Sequence, residues 1–164
     1  MTGHRESSGR RPATPLWRSS AGPATIITDT REQEGYSFDP RLAATVRRAL
    51  PAGDYSLAGL ENTVAVERKT LDDFVSTVIH SRARFRNELR KLAGYRAACV
   101  VVEASILDVL LQRYRGDAHP NAVVGSALSI ILDFRIPVFF CSNRQAACQF
   151  VQAYLLAAHA RWSQ

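Results

Sequence analysis

The residues that most tightly limit the fold are 97–103, Ala-Ala-Cys-Val-Val-Val-Glu, because all but the last are apolar. An apolar run without alternation is typical of a strand that is buried on both faces of a sheet. Residues 136–141 form a second such run, and helical patterns separate the predicted strands. This alternation predicts an α/β fold, with a mixed central sheet flanked by helices.

The remaining segments extend this alternation towards the N-terminus. Short strands are predicted over 25–28 and 55–57, and residues 58–62 form a hairpin-like connection into a strand that begins at Val64. Helices are predicted over 40–50, from Asp73 to Ile79, from Ser81 to Gly94, over 106–111, from Pro120 onward and over 144–161. Thr70 with Asp73 fits a capping box at the first of the helices that follow the Val64 strand.

Charged residues end two of these strands. Glu67 and Lys69 share one face of their strand, since side chains alternate with period two. Antiparallel pairing with the preceding strand would bring Asp54 next to Glu67. Two carboxylates placed side by side need a cation, a shared proton or an ionised partner. Asp29 ends the first strand, where a turn with a surface ion pair is an equally good interpretation.

Carboxylates and a lysine on adjoining strands suit a magnesium site that activates water against a phosphodiester. Mg²⁺ takes one or two carboxylates together with waters and substrate phosphate. The lysine can offset charge that grows on the phosphate. Asp73 fits this site, but it also fits a helix N-terminal carboxylate that holds Lys69 or Arg68. Such a pattern alone is weak, because charged residues are common at strand ends.

The longer pattern is more specific. Gly53-Asp54-Tyr55, followed by Glu67-Arg68-Lys69, three residues and Asp73, resembles the GDY…ERKxxxD signature of XPF-type structure-specific endonucleases. Residues 29–32, Asp-Thr-Arg-Glu, are similar to the upstream D-x-R-E element of that family. The resemblance covers roughly residues 24–160 and implies a restriction-endonuclease-like core.

The resemblance also implies roles for individual residues. Divalent metal, Mg²⁺ or Mn²⁺, would be bound by Asp29, Asp54, Glu67 and the backbone carbonyl of Arg68. Lys69 would sit at the attacked phosphate, and Asp73 matches the last acid of the signature. The predicted catalytic residues are Asp29, Asp54, Glu67, Lys69 and Asp73. The predicted DNA contacts are Arg31, Arg68, Arg84 and Arg86. The family often has an acidic-glycine step before the arginine that matches Arg84, and here Arg82 and Ala83 stand there.

The charge balance favours an anionic partner, and nucleic acid first. The chain of 164 residues has a formal net charge of +6. Residues 1–22, with four arginines against one glutamate, predict a disordered basic tail before a nuclease domain at 23–164. The basic helix after Ser81 is either a phosphate-contacting surface or only a solvated face.

We therefore expect a metal-dependent endonuclease that acts on branched or flapped DNA in repair or recombination. A noncatalytic DNA-binding or scaffold subunit, and a nuclease for ordinary duplex, are the alternatives.

A homodimer through residues 121–160 is predicted from the apolar faces of the last two helices, with Tyr154 within the interface. A separate DNA-targeting partner is possible, because no helix-hairpin-helix pattern follows. The odd cysteine count and the lack of a membrane span predict a cytoplasmic protein.

Overall fold

The computed structural model describes residues 22–163 of the chain, so all but the last residue of the predicted tail at 1–22 lies outside the described residues. Within this range the chain forms six strands and five helices, whereas five strands and six helices were predicted. The strands are β1 (Ala24–Thr28), β2 (Ala43–Arg47), β3 (Tyr55–Leu57), β4 (Val64–Lys69), β5 (Ala97–Val102) and β6 (Val138–Phe140). The helices are α1 (Leu71–His80), α2 (Arg82–Ala93), α3 (Ile106–Leu110), α4 (Pro120–Phe134) and α5 (Arg144–Trp162).

The strands form one mixed sheet in the order β2-β1-β3-β4-β5-β6. β3 is antiparallel to both of its neighbours, whereas β1 with β2 and β4 with β5 and β6 are parallel. The predicted mixed central sheet with flanking helices is therefore confirmed. Side chains on β4 and β5 alternate between two cores, one formed with α1, α2 and α4 and the other formed with α5. This alternation decides which face of the sheet each charged residue at the end of β4 occupies.

The prediction of a helix over 40–50 is wrong, because this segment contains strand β2. It pairs with β1 from Ala24 opposite Ala43 to Thr28 opposite Arg47. β2 is an edge strand, and after Ala43 its residues are exposed. Apolar and polar residues alternate in a strand when one face is buried, and β2 has no such face after Ala43. Leu42, Val46 and Leu50 consequently gave a spacing that only resembled a helix.

The crossover between the parallel strands β1 and β2 contains no helix, although such connections usually do. Two aromatic rings cover the sheet in its place. Tyr36 stacks on Tyr55 at 5.1 Å between ring centroids, and Phe38 meets the same ring edge-on at 5.4 Å. The amide group of Gln152 then fastens the crossover to α5, since it bonds both the N–H and the carbonyl of Asp39.

The apolar face of α5 was predicted to join two subunits, but it packs against the sheet of its own chain. Ala147, Val151 and Leu155 are fully buried in the core beneath the sheet, and Tyr154 is half-buried. The predicted buried strand over 136–141 is also shorter than expected, and β6 is a half-buried edge strand. Among residues 22–163, no helix is both long and apolar enough to cross a membrane.

Candidate active site

An open cleft of about 340 Å³ lies where β4 ends, against α1 and α2. Five residues predicted from the sequence line it: Glu67, Arg68, Lys69, Asp73 and Arg84. The alternation of β4 explains why Glu67 and Lys69 share this face. Asp73 is there because α1 starts directly after the strand, with the Thr70 hydroxyl accepting a hydrogen bond from the Asp73 N–H at 3.2 Å. The cleft therefore combines acidic and basic side chains in a space open to solvent.

Glu67 and Lys69 form an ion pair within this cleft. The Lys69 Nζ lies 2.8 Å from Oε1 of Glu67, and it also lies 5.3 Å from the centroid of the Phe85 ring. Burial lowers the pKa of Lys69, but the charges of Glu67, Asp54 and Asp73 outweigh it and raise the pKa overall. The lysine is consequently an ammonium group held among carboxylates.

Asp54 lies beside Glu67, as the predicted antiparallel pairing requires. Tyr55 is paired with Val66, and one Oδ of Asp54 accepts the Arg68 N–H at 2.7 Å. Gly53 makes this approach possible, because its φ is +76° and a Cβ there would lie 3.0 Å from the Val66 carbonyl oxygen. Burial, with repulsion from Glu67, raises the pKa of Asp54 to about 7. The charged form of Asp54 is therefore disfavoured, and a cation beside it would favour that form.

Asp29 is buried next to this pair, and its N–H donates to the Asp54 carbonyl at 2.8 Å. Both of its carboxylate oxygens already accept hydrogen bonds. Oδ1 accepts the Arg31 N–H and Nε, and Oδ2 accepts the Leu50 N–H at 2.6 Å. Burial raises the pKa of Asp29, but these hydrogen bonds lower it overall. A cation at Asp29 would have to displace one of these donors, so its role as a metal ligand stays a prediction.

The Arg68 side chain points to the opposite face of the sheet from Glu67 and Lys69. Its Nε and Nη2 donate to the two carboxylate oxygens of Glu103 at 2.7 and 3.1 Å, and Nη1 lies 3.4 Å from Glu32. Only 7% of the side chain is exposed. The predicted DNA contact by Arg68 does not fit this arrangement, because the guanidinium is enclosed by carboxylates and turned away from the cleft.

The predicted DNA-contacting arginines occupy different surfaces. Arg84 lines the cleft, and the exposed Arg31 is close enough for its charge to interact with Asp54 and Glu88. Arg86 instead lies over the Phe134 ring, at 5.5 Å from its centroid, in a recess between α2 and α4. Two residues along a helix turn by about 200°, which separates Arg84 from Arg86.

Sequence reasoning missed Glu103 as the partner of Arg68. Its only signal was a single carboxylate at the end of an otherwise apolar strand. Tyr36 was missed too, although its hydroxyl donates to Glu103 at 2.8 Å. Both residues lie far from the signature in sequence, and the sheet brings them together.

The residues present fit a magnesium-type cation only in part. Within residues 22–163, no group of three or more His, Cys, Asp or Glu side chains is arranged to hold a metal ion. The carboxyl groups of Asp54 and Glu67 nevertheless lie side by side. Such a pair suits Mg²⁺, which commonly takes one or two carboxylates and completes its shell with water and phosphate oxygens.

Comparison with known proteins gives matches over most of this chain. The family model of the ERCC4 domain matches residues 28–154. A putative ATP-dependent RNA helicase of Methanocaldococcus jannaschii is 35% identical over 123 residues, which are 75% of this chain. The match spans only 14% of the length of that helicase.

Two solved structures share the fold of the described residues. XPF from Aeropyrum pernix superposes with a TM-score of 0.65 at 22% identity, over 85% of this chain and 67% of that one. XPF from the same organism in complex with DNA gives 0.60 at 23% identity, over 85% and 64%. The predicted restriction-endonuclease-like fold is confirmed by this similarity to the XPF nuclease domain. Since the family model covers most of its length, this chain belongs to the ERCC4 domain family.

Proposed function

We propose that this chain is a metal-dependent endonuclease that hydrolyses phosphodiester bonds in branched or flapped DNA. The observation that carries the proposal is the Glu67–Lys69 ion pair in an open cleft, with the Asp54 carboxyl beside Glu67. Carboxylates that repel each other favour a cation, and an ammonium beside them favours a phosphate. DNA repair or recombination is the process we infer.

In this proposal Asp54, Glu67 and the Arg68 carbonyl would hold Mg²⁺ or Mn²⁺, and Asp29 would be a further ligand in place of one of its hydrogen bonds to Arg31. A cation bound there would neutralise phosphate charge and make a water more acidic. Lys69 offsets the charge that develops on the attacked phosphate. Asp73, at the start of α1, contributes to the field that keeps Lys69 charged.

DNA is the proposed partner because cationic side chains flank the acidic pair. Arg84 lines the cleft, and Arg31 extends the positive charge towards β1. The solved XPF structure that includes DNA supports this choice of ligand. Preference for branched DNA rests on the family resemblance, and a separate DNA-targeting partner remains part of the proposal.

We also propose a homodimer through residues 121–160, with α4 rather than α5 as its centre. Leu128, Ile131 and Leu132 are 49%, 38% and 73% exposed on one side of α4. Apolar side chains at this spacing form a stripe that a second copy could cover. The three cysteines are free, which agrees with the proposed cytoplasmic location.

A cleavage panel tests the proposed function. Duplex, single strand, flaps, fork and four-way junction are incubated with Mg²⁺ or Mn²⁺, and a chelator provides the control. We expect cuts near the branch that require the metal. If every DNA is bound but none is cut, the chain is the noncatalytic subunit. If plain duplex is cut as fast as the branched forms, the proposed preference is wrong.

A further inference from the structure

We propose that Glu103 is a positioning residue for the candidate site, acting through Arg68 from the opposite face of the sheet. This inference rests on the proposed nuclease function. Glu103 follows β5 directly, and its carboxylate contacts neither the Glu67 nor the Lys69 side chain. Its proposed role is to hold in place the end of β4, which carries Glu67 and Lys69.

The contacts of Glu103 are unusually many for one side chain. Its carboxylate accepts from Nε and Nη2 of Arg68, from the Tyr36 hydroxyl at 2.8 Å and from Nη1 of Arg144 at 3.1 Å. It is 7% exposed, as is Arg68. Its N–H also donates to the Lys69 carbonyl at 2.9 Å. Glu103 thus joins β4, the β1–β2 crossover and the start of α5.

The path from Glu103 to the cleft is short. Arg68 stands between Glu67 and Lys69 in β4, so a shift of its backbone would move both neighbours. Its own N–H donates to the carboxylate of Asp54 at 2.7 Å. Without Glu103, the Arg68 guanidinium would be a buried charge that lacks its main partner, which is strongly unfavourable. Movement of the guanidinium towards solvent would displace the Arg68 N–H as well. Asp54, Glu67 and Lys69 would then shift together.

Arg144 and Tyr36 close the network at its edge. Arg144 lies 4.9 Å above the Tyr36 ring centroid and donates to the carbonyls of Glu34 and Gly35. These contacts hold the crossover loop over Arg68 and exclude water from the ion pair. Residues that orient the inner ligands of a metal site typically change metal affinity or activity by about 10–100-fold when they are mutated.

The test compares Glu103→Gln with Glu34→Gln as a matched control. Glu34 lies 3.5 Å from the same arginine, but its side chain is 74% exposed, so its charge is already screened. For Glu103→Gln we expect single-turnover cleavage, at saturating metal and DNA, to fall at least about tenfold. Mn²⁺ affinity measured by calorimetry should weaken by about the same factor, and DNA affinity in Ca²⁺ should stay unchanged. Glu34→Gln should match the wild type in all three measurements.

A second variant guards against loss of folding. Tyr36→Phe removes only the hydroxyl that donates to Glu103 and keeps the ring stacked on Tyr55. It should give a smaller fall in rate, between the wild type and Glu103→Gln, with circular dichroism unchanged. The inference is overturned if both variants cut at the wild-type rate, or if they lose only DNA affinity or only thermal stability. If the wild type itself cuts no DNA, the proposed function fails, and this inference fails with it.

Discussion

Replacing Glu67 with glutamine removes one negative charge from the cleft while keeping the shape of the side chain. Two consequences follow from the structure. Lys69 loses the carboxylate that lies 2.8 Å from its Nζ, and Asp54 loses the neighbour whose repulsion raises its pKa. In the proposed mechanism a metal ligand also disappears. Losing such a ligand should cost several kcal/mol of the barrier, which is roughly a thousandfold or more in rate.

The assay is single-turnover cleavage of a labelled flap substrate, with enzyme in excess and Mg²⁺ saturating. Glu88→Gln is the matched control, since Glu88 lines the same cleft but pairs with Lys91 instead of Lys69. We expect Glu88→Gln to stay within a few-fold of the wild type, because exposed pairs contribute little, about 0–1 kcal/mol. Cleavage by Glu67→Gln at a rate near that of the wild type would refute the metal site and the role given to Lys69.

Arg84→Ala should weaken DNA binding and reduce the log–log salt slope by about one, whereas Arg86→Ala, on the other side of α2, should leave the slope unchanged in filter binding. The pKa of Asp54 is raised to about 7, so between pH 4 and pH 7 the folded, metal-free protein keeps a proton that the unfolded chain releases. The protonated Asp54 therefore stabilises the folded state at pH 4, and this stabilisation is lost as pH rises through 7. Calorimetry should therefore show Mg²⁺ affinity rising about tenfold per pH unit below 7, and Asp54→Asn should abolish that dependence. Leu132→Glu should give a mass near that of an 18.1 kDa monomer in light scattering, and a wild type that is already monomeric would contradict the proposed dimer.

The sequence predicted those parts of the site that follow from strand periodicity and local pairing. Glu67 and Lys69 share a face because they are two residues apart, and Asp54 meets Glu67 because a short hairpin connects their strands. β2 could not be predicted, because an exposed edge strand is held by backbone pairing with β1 and not by a pattern of side chains. The direction of a long side chain also depends on partners that are distant in sequence. Arg68 turns to Glu103, and Asp29 turns to Arg31 and Leu50, for this reason.

The predicted dimer shows that the pattern of a helix, too, does not reveal which surface covers its apolar face. The apolar face of α5 was correctly identified, but an apolar stripe does not say whether a sheet or a second subunit covers it. The sheet covers it here, and the exposed apolar stripe lies on α4 instead.

The central claim is that Asp54 and Glu67 together hold a divalent cation, and Mn²⁺ titration of the DNA-free protein at pH 8 tests it most directly. This pH lies above the raised pKa of Asp54, which is about 7, so the Asp54 carboxyl is ionised and can accept a cation. We predict saturable Mn²⁺ binding by the wild type and by Glu88→Gln, and none by the double variant Asp54→Asn, Glu67→Gln with an unchanged circular dichroism spectrum. Equal Mn²⁺ binding by the folded double variant would contradict the account.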